Sequence, residues 1–384
     1  MITIRRQLLG LGFVAASSLL ALNAAQAMSG PTAIQIDGGP LGALQLSGGV
    51  DGYGYYYNPS LSGSSSNGAN VANGLIELQK TDGVLQFTVE IGSNGGAIGL
   101  GAGTKPAQTS ITTFTTGPLY AGYVTIAPTG LPITISAGQL GSLEGYESGI
   151  DWNNPSQLTT DIFQVQNSQN RGVNINYTSG PISATLQFGD GWDTGVFNFL
   201  QGLATYTIDS SNAMNVYFAA NLGTTGNNTF AYGGSTGGSY GPYYANSDMI
   251  GGFYSYTNGN LNLVPEVQYV YAKANNKLGL TKSSANFGAA LFGTYTFGTS
   301  PYSVGGWVEY EKSTGLDNWF AGANSELAGF SVAPTWQYKD LFARANMGVS
   351  YLLNNKYDGM SYGYGNKNNG KIALVGTLEA GVLF

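Results

Sequence analysis

The sequence predicts an all-β fold, a transmembrane antiparallel β-barrel of about sixteen strands with short periplasmic turns and long external loops. Three observations predict it: alternating segments, connections that alternate in length, and a composition poor in charge. The last segment, KIALVGTLEAGVLF at 371–384, is an example of such alternation. Its residues in phase with Phe384 carry no charge, whereas the other phase includes Glu379 and Lys371. A period of two gives a strand two faces, and in a barrel one faces lipid and the other the lumen.

The same alternation recurs along the whole chain between segments rich in turn residues. It predicts strands at 44–57, 72–80, 84–91, 118–127, 131–141, 171–178, 182–189, 200–208, 213–222, 248–256, 261–271, 285–297, 302–311, 326–338, 341–352 and 371–384. Two of these strands contain a proline on the outward phase, Pro265 and Pro334. Because a closed barrel has no free edge where a missing N–H is harmless, we expect bulges there or different strand ends.

The connections between these strands are alternately short and long. The short ones carry turn residues, as in Thr81-Asp82-Gly83 and Lys339-Asp340. The long ones are 58–71, 92–117, 142–170, 190–199, 223–247, 272–284, 312–325 and 353–370. This asymmetry is typical of outer-membrane barrels, and an even strand number puts both ends of the barrel on the periplasmic side.

Aromatic residues on the predicted outward phase give an independent indication. They cluster near both strand ends, and the same phase between them holds Gly, Ala, Val, Leu and Met. Amphipathic rings at two membrane interfaces would produce such belts. The predicted belts contain Tyr56, Phe188, Tyr269, Tyr271, Tyr310 and Tyr351 at the external side, and Tyr177, Tyr206, Tyr254, Tyr256, Tyr295, Phe297, Trp336, Tyr338 and Phe384 at the periplasmic side.

The N-terminus has the three parts of a secretory signal: Arg5 and Arg6, an apolar stretch, and an A-x-A site at 25–27. The sequence therefore predicts a cleaved signal peptide at 1–27 and a single outer-membrane barrel domain at 28–384. Beyond the signal, no apolar stretch approaches the ~18 residues of a membrane helix. These features predict a location in the outer membrane of a Gram-negative cell.

Composition limits the function. Charged residues are 9% of the chain, and there are 59 glycines, 26 tyrosines, no cysteine and no histidine. Without Arg5 and Arg6 of the predicted signal, 12 basic residues remain against 21 acidic ones, a net charge of −9. This charge argues against nucleic acid as a partner and favours neutral or cationic solutes. No acid pair, triad or complete metal-binding spacing points to an enzyme, a metal or a cofactor.

Residues on the inward phase are mostly amides and hydroxyls with a few charges, which suits a water-filled lumen. A barrel of about sixteen strands is wide enough for such a channel. The candidate pore-lining charges are Arg171, Glu266, Glu309 and Arg344. The sequence leaves open whether Glu309 and Arg344 line the pore or form an ion pair across the lumen.

The third long connection, 142–170, is the candidate pore constriction. Its candidate residues combine four acids with two aromatic rings, and the segment has no basic residue. They are Glu144, Tyr146, Glu147, Asp151, Trp152 and Asp161. The alternatives are a solvated external loop and a surface that binds cations bridging to anionic lipid outside the barrel.

Part of the chain, about 136–193, resembles the OmpL-like β-barrel porins. SAGQLGSLEGYES contains Gly145-Tyr146-Glu147, and NRGVNINYTSGPISATLQFGDGWD contains Gly172-Val173, Tyr177 and Gly191-Trp192-Asp193. Asp190 stands where the family has asparagine. The resemblance implies an outer-membrane porin and names no substrate. Separately, the third external loop of general porins folds into the barrel and narrows it, and the resemblance of position suggests the same for 142–170.

These observations predict a porin that passes small hydrophilic solutes by passive diffusion, with a mild preference for cations. The alternative is a non-conducting barrel whose surface loops serve structure or adhesion. The predicted partners are outer-membrane lipid and lipopolysaccharide, the barrel-assembly machinery through the strand ending in Phe384, and small hydrophilic solutes. The sequence leaves monomer and homotrimer open.

Overall fold

The computed structural model describes residues 28, 30–59, 66–100, 119–167, 169–226, 242–315 and 323–384. The strands are β1 Ile34–Asp37, β2 Ala43–Asn58, β3 Ser66–Lys80, β4 Leu85–Asn94, β5 Ile98–Gly99, β6 Leu119–Ile126, β7 Ile133–Gly141, β8 Leu158–Thr159, β9 Gln169–Ser179, β10 Ile182–Gly189, β11 Phe199–Thr207, β12 Asn212–Asn221, β13 Ser247–Asn258, β14 Leu261–Ala272, β15 Ser284–Thr296, β16 Tyr302–Thr314, β17 Glu326–Tyr338, β18 Leu341–Asn354, β19 Lys356–Tyr357, β20 Met360–Ser361 and β21 Ile372–Leu383. Sixteen of them form a closed antiparallel barrel: β2–β4, β6, β7, β9–β18 and β21.

Each barrel strand pairs with the barrel strands before and after it in the chain, and β2 closes the ring by pairing with β21. All sixteen predicted strands are confirmed. The short strand β1 was not predicted; it pairs with the start of β2, next to the end of the chain. There Gly48 N donates to Phe384 O at 2.8 Å and Phe384 N donates to Gly48 O at 2.9 Å.

Helical structure is limited to single turns in the described residues. Two short α-helices, α1 Asp161–Gln164 and α2 Pro242–Ala245, lie in long connections. Three 3₁₀ turns occupy Gly39–Leu41, Asp151–Asn153 and Asn276–Leu278. No helix in the described ranges is long and apolar enough to cross a bilayer.

The two faces of the wall differ as the alternation predicts. In the middle of the wall, outward residues are mostly apolar and exposed, as with Leu291 in β15, Met347 in β18 and Leu378 in β21, which are 42%, 59% and 72% exposed. The predicted belt residues also lie on this outward phase, as with Tyr56 and Phe188. Inward residues are largely buried by one another and by loops within the barrel.

The expected bulges at Pro265 and Pro334 are wrong, and the predicted strand limits there were correct. Pro265 pairs with Leu291 in β15, and Pro334 pairs with Val304 in β16. Toward the other neighbouring strand, β13 for Pro265 and β18 for Pro334, two successive residue pairs are missing from the ladder. The pairing then continues in the same register. The strand therefore loses a few hydrogen bonds locally without gaining an extra residue.

The predicted signal segment, 1–27, lies outside the described residues, so the domain boundary at 28 stays a prediction. Met28 itself is buried against Leu75, Trp152, Phe342 and Leu383. Three of these partners are wall residues at the inner face, so the start of the predicted mature domain contacts the interior of the barrel.

Candidate pore site inside the barrel

The connection between β7 and β9 crosses the interior of the barrel. These two strands are the fifth and sixth around the ring when β2 is counted first, and β16 is the thirteenth, on the opposite side. The connection nevertheless hydrogen-bonds to β16, β17, β18 and β21. The segment therefore spans the lumen, and we call its described residues, 142–167, the inner loop.

The middle of the inner loop is held by polar side chains of β18 and β21. Arg344 Nη1 donates to Asn154 O at 2.8 Å. Asn346 Oδ1 accepts from Gln157 N at 3.0 Å, and Thr377 Oγ1 donates to Gln157 Oε1 at 2.6 Å. Because all these groups are buried, breaking one bond would leave an unsatisfied polar atom, which costs about 1–3 kcal/mol.

The second half of the inner loop is held by β14 and β16. Trp307 Nε1 donates to Leu158 O at 2.6 Å, and Asp161 N donates to Glu309 Oε2 at 2.8 Å. Gln268 Nε2 in turn donates to Ile162 O at 3.0 Å. Main-chain groups of a segment without long regular structure thus find their partners on the wall, as buried backbone requires.

Three inward glycines of the wall allow the inner loop to approach closely. A Cβ on Gly305 would lie 2.1 Å from Pro155 O. One on Gly348 would lie 2.8 Å from Leu158 Cδ1, and one on Gly288 would lie 2.7 Å from Ile162 Cγ1. These positions need glycine because the space of a side chain is already filled by the loop.

A second connection also reaches the lumen, which the sequence did not predict. β5, from the segment after β4, pairs in parallel with β8 of the inner loop. Ile98 N donates to Gln157 O at 3.0 Å, and Ile98 and Leu100 are buried in the interior cluster. The alternating run Ala97-Ile98-Gly99-Leu100 was the available signal, but it is too short to distinguish from an ordinary loop.

All six candidate constriction residues are buried; they are 4% exposed at Glu144, 7% at Tyr146, 5% at Glu147, 0% at Asp151, 8% at Trp152 and 0% at Asp161. Their role in a constriction stays a prediction, but their surroundings are now defined. The half-exposed positions of the inner loop are others, among them Ile150, Asn153, Phe163 and Gln164.

The acids of the inner loop accept hydrogen bonds from its own backbone. Glu144 Oε2 accepts from Asn167 N at 2.7 Å, and Gln201 of β11 donates to the same carboxylate. Glu147 Oε2 accepts from Thr160 N at 3.1 Å and from the Thr160 hydroxyl. These bonds join the two ends of the inner loop and give it a fixed shape.

Burial also changes the acidity of these groups. Removal from water raises the pKa of Glu144 to about 7 and the pKa of Glu147 to about 8, although the hydrogen bonds that each accepts lower it. Burial likewise raises the pKa of Asp151, against the attraction of Arg344. Near neutral pH, the carboxyl groups of Glu144 and Glu147 are therefore partly protonated and neutral.

The two aromatic residues pack as anchors. The ring of Tyr146 lies 4.9 Å from that of Phe292 and 5.8 Å from that of Phe253, measured between centroids. Trp152 packs with Leu75 and Phe342 on a different part of the wall. The loop is thus fixed by apolar contacts at two separate places as well as by hydrogen bonds.

The four candidate pore-lining charges have different positions. Arg171 lies on the outward phase of β9 with Val173, and its guanidinium pairs with Asp190 at 2.6 Å. Its assignment to the pore wall is wrong, because the strand register puts Asn174 and Asn176 on the lumen side instead.

The other three charges are on the lumen side. Glu266 accepts from Tyr217 Oη at 2.7 Å, and Glu309 bonds to Asp161 N. Arg344 pairs with Glu379, with Nε to Oε2 at 2.9 Å, because the two residues are opposite each other in β18 and β21. The alternative prediction, an ion pair between Arg344 and Glu309 across the lumen, is therefore wrong.

The turn at 190–193 closes the far end of the inner loop. Gly191, Trp192 and Asp193 have φ values of 44°, 56° and 49°. This left-handed run lets Trp192 N donate to Asn167 Oδ1 at 2.7 Å and Asp193 O accept from Arg171 Nη2 at 2.9 Å. The Gly-Trp-Asp motif that carried the resemblance thus fixes the exit of the loop.

Comparison with known proteins agrees with this architecture. The family model described as "Putative beta-barrel porin-2, OmpL-like" matches residues 43–384. The chain belongs to this family. No curated protein matches it by sequence.

Solved structures share its fold at low sequence identity. OmpT of Vibrio cholerae, folded in vitro and in trimer form, has a TM-score of 0.55 and 9% identity, over 89% of this chain and 99% of that one. OmpF of Salmonella typhi in complex with daunomycin has a TM-score of 0.52 and 13% identity, over 91% and 100% of the two chains. The family and the barrel fold support an outer-membrane porin and an outer-membrane location.

Proposed function

We propose that the protein is a passive diffusion channel for small hydrophilic solutes with a mild preference for cations. The observation that carries this proposal is the inner face of a closed barrel of sixteen strands, where many amide, hydroxyl and carboxyl side chains lie beside an apolar cluster and an acidic inner loop crosses the lumen. Neutral polar groups allow solutes to pass with weak binding, which conduction requires. The excess of acids over bases favours cations at the pore.

The inner loop determines which side chains meet the solute in this proposal. Its acids are held by hydrogen bonds within the loop and to the wall. They therefore act on passing ions through their electrostatic field more than by direct contact. Half-exposed residues such as Asn153 and Gln164 would contact the solute. This arrangement favours weak selection by charge and size over a specific binding site.

The second candidate function is a non-conducting barrel with structural or adhesive surface loops. It is favoured by one observation: the six candidate constriction side chains are all buried. The inner loop together with the segment around β5 fills much of the interior. In this second function, the filled lumen is too narrow for solutes.

A planar-bilayer experiment separates the two functions. The full chain is refolded in detergent, its β-structure is checked by circular dichroism, and it is added to a bilayer in KCl. Discrete conductance steps are expected, with a reversal potential of cationic sign in a KCl gradient. A folded protein that gives no steps would support the non-conducting barrel, and a chloride preference would contradict the proposed selectivity.

Assembly and partners belong to the same proposal. OmpT of Vibrio cholerae is described in a trimer form, and a homotrimer is the oligomer we propose here. Contacts with lipid, lipopolysaccharide and the barrel-assembly machinery through the Phe384 strand also stay proposals. Analytical ultracentrifugation of the refolded protein in density-matched detergent tests the trimer, and a monomeric mass would contradict it.

A further inference from the structure

Three buried carboxylates from distant parts of the sequence meet inside the barrel. Asp51 lies in β2, Asp151 in the inner loop and Glu379 in β21, and they are 3%, 0% and 3% exposed. One carboxylate oxygen from each lies within 4.8 Å of the other two. We call Asp51, Asp151 and Glu379 the carboxylate cluster.

Hydrogen bonds fix each member of the cluster. Asn73 Nδ2 donates to Asp51 Oδ1 at 3.1 Å and to Asp151 Oδ1 at 2.5 Å, and Asn73 N donates to Asp51 Oδ1 at 2.9 Å. Gln157 Nε2 donates to Asp151 Oδ2 at 3.2 Å. Arg344 binds Glu379 through Nε and Nη2. The three carboxylates are thus positioned before any ligand arrives.

One oxygen atom of the cluster has no partner. Asp51 Oδ2 is buried and accepts no hydrogen bond within the described part of the chain, and the Asp51 side chain is 3% exposed. A buried acceptor without a partner costs about 1–3 kcal/mol, so this oxygen is a second indication, separate from the acidity, of a bound ligand.

The charge of the group is also unbalanced. If all three carboxylates are ionised, they leave two negative charges beside the Arg344 guanidinium in a buried place. Buried charges are normally paired or coordinate a metal ion. A single divalent cation would balance them.

We propose that the carboxylate cluster binds one hard divalent cation, Ca²⁺ by preference, through Asp51, Asp151 and Glu379. Calcium takes oxygen ligands at about 2.3–2.6 Å in flexible geometry, so ligands on opposite sides of the ion are at most about 5 Å apart. A set of oxygens within 4.8 Å of one another fits this limit. Magnesium prefers oxygens at about 2.0–2.1 Å in a stricter octahedron and usually keeps several waters, so a site made of three protein carboxylates suits calcium better.

The bound ion joins the inner loop to the wall. Asp151 is the loop's own ligand, whereas Asp51 and Glu379 belong to the two strands that close the barrel. The ion therefore ties the loop to the seam between the first and last barrel strands. Calcium is expected to raise the thermal stability of the protein and to protect the inner loop from proteases. This role is independent of whether the barrel conducts.

The first measurement uses the full chain refolded in detergent, dialysed against about 10 μM free Ca²⁺, the range of moderate-affinity sites. One equivalent of bound calcium is expected by elemental analysis, with a higher melting temperature in Ca²⁺ than in EGTA. Mg²⁺ in place of Ca²⁺ is expected to give a smaller rise. A wild type that retains no stoichiometric calcium and melts at the same temperature in both buffers would overturn the proposal.

The second measurement locates the ion. Tb³⁺ replaces Ca²⁺, and its luminescence is excited through Trp152, which adjoins Asp151. Asp51→Asn is expected to weaken Tb³⁺ binding about tenfold or more, since affinity follows the charge of the ligand set. The matched control is Glu90→Gln, a buried acid on the inner face of β4 outside the cluster, which should bind as the wild type does.

Two outcomes of this comparison would overturn the site. Equal losses in Asp51→Asn and Glu90→Gln would mean diffuse attraction by the acidic interior. Asp51→Asn that is more stable than the wild type, together with no effect of calcium on the wild type, would mean that a proton neutralises the cluster. If Asp51→Asn does not fold, Asp151→Asn in the inner loop replaces it, and the wild-type measurement in Ca²⁺ and EGTA still decides.

Discussion

The outer and inner faces of the barrel wall are built from the same strands but obey different requirements. Outward residues need only be apolar, and each contacts lipid largely independently of its neighbours. Inward residues such as Arg344, Asn346 and Trp307 each have a defined partner in the inner loop. The outer face is therefore specified by residue type, whereas the inner face is specified by particular pairs.

The two faces therefore tolerate different substitutions. On the outer face, the change in stability depends mainly on the free energy of transferring the new side chain into lipid and little on its shape. On the inner face, it depends on the space and the hydrogen-bond partners that the inner loop leaves. The predictions below apply matched substitutions to the two faces or to the inner loop.

The largest effect is expected from a charge on the lipid face. Leu291→Arg, in the middle of β15 and 42% exposed, should lower the free energy of unfolding by about 2–4 kcal/mol, because a charge in the hydrocarbon region of a barrel costs that much. The measurement is urea unfolding in lipid vesicles. The control is Ser303→Arg, half-buried on the lumen side of the adjacent strand, with a much smaller loss. Equal losses would contradict the assignment of faces.

The next effect concerns steric fit on the inner face. Gly305→Ala should lower the free energy of unfolding by about 1–3 kcal/mol or force the inner loop to move, since the new Cβ would lie 2.1 Å from Pro155 O. Gly376→Ala, on the outer face of β21, has 3.8 Å of space and should be nearly neutral. Unfolding free energies and protease cleavage of the inner loop measure both. A neutral Gly305→Ala with an unchanged cleavage pattern would mean that the loop is not packed against β16.

The strands and their faces could be predicted because alternation is a local signal. Every predicted barrel strand is present, and even the prolines disturb only two rungs of a ladder. The pairs on the inner face could not be predicted, because they depend on register. Arg344 meets Glu379 only because β18 and β21 align these two residues. A slip of one residue would turn one of them toward lipid.

The candidate site was only partly predictable for the same reason. The entry of 142–167 into the lumen was anticipated by resemblance, and its acids were recognised as a group. Several loop side chains also have partners far away in sequence, as with Asn73 for Asp151 and Thr377 for Gln157. No pattern within the loop indicates that its acids would be buried by these contacts instead of facing open water.

A smaller effect is expected from pH. Burial raises the pKa of Glu147 from its ordinary 4.5 to about 8, so between these values the folded state holds a proton that the unfolded state has lost. Stability is then fully present below pH 4.5 and falls as pH rises toward 8. Glu147→Gln should flatten this decline in melting temperature between pH 5 and pH 8, whereas Asp340→Asn at an exposed periplasmic turn should not. A wild type that becomes more stable over this range would contradict the burial of Glu147.

The smallest effect is expected in ion selectivity. Glu144 and Glu147 are held by hydrogen bonds, and their raised pKa values, about 7 and about 8, leave them partly neutral at pH 7. Their field is also screened beyond about 10 Å at 0.1 M salt. The double variant Glu144→Gln/Glu147→Gln should therefore shift the reversal potential in a KCl gradient only slightly at pH 6 and more at pH 9, where both acids are charged. The control, Asp209→Asn/Asp340→Asn, removes the same charge from exposed turns and should show no growth of its effect with pH. If the loop variant matches the wild type at pH 9 and low salt, its acids serve to hold the loop and do not act on passing ions.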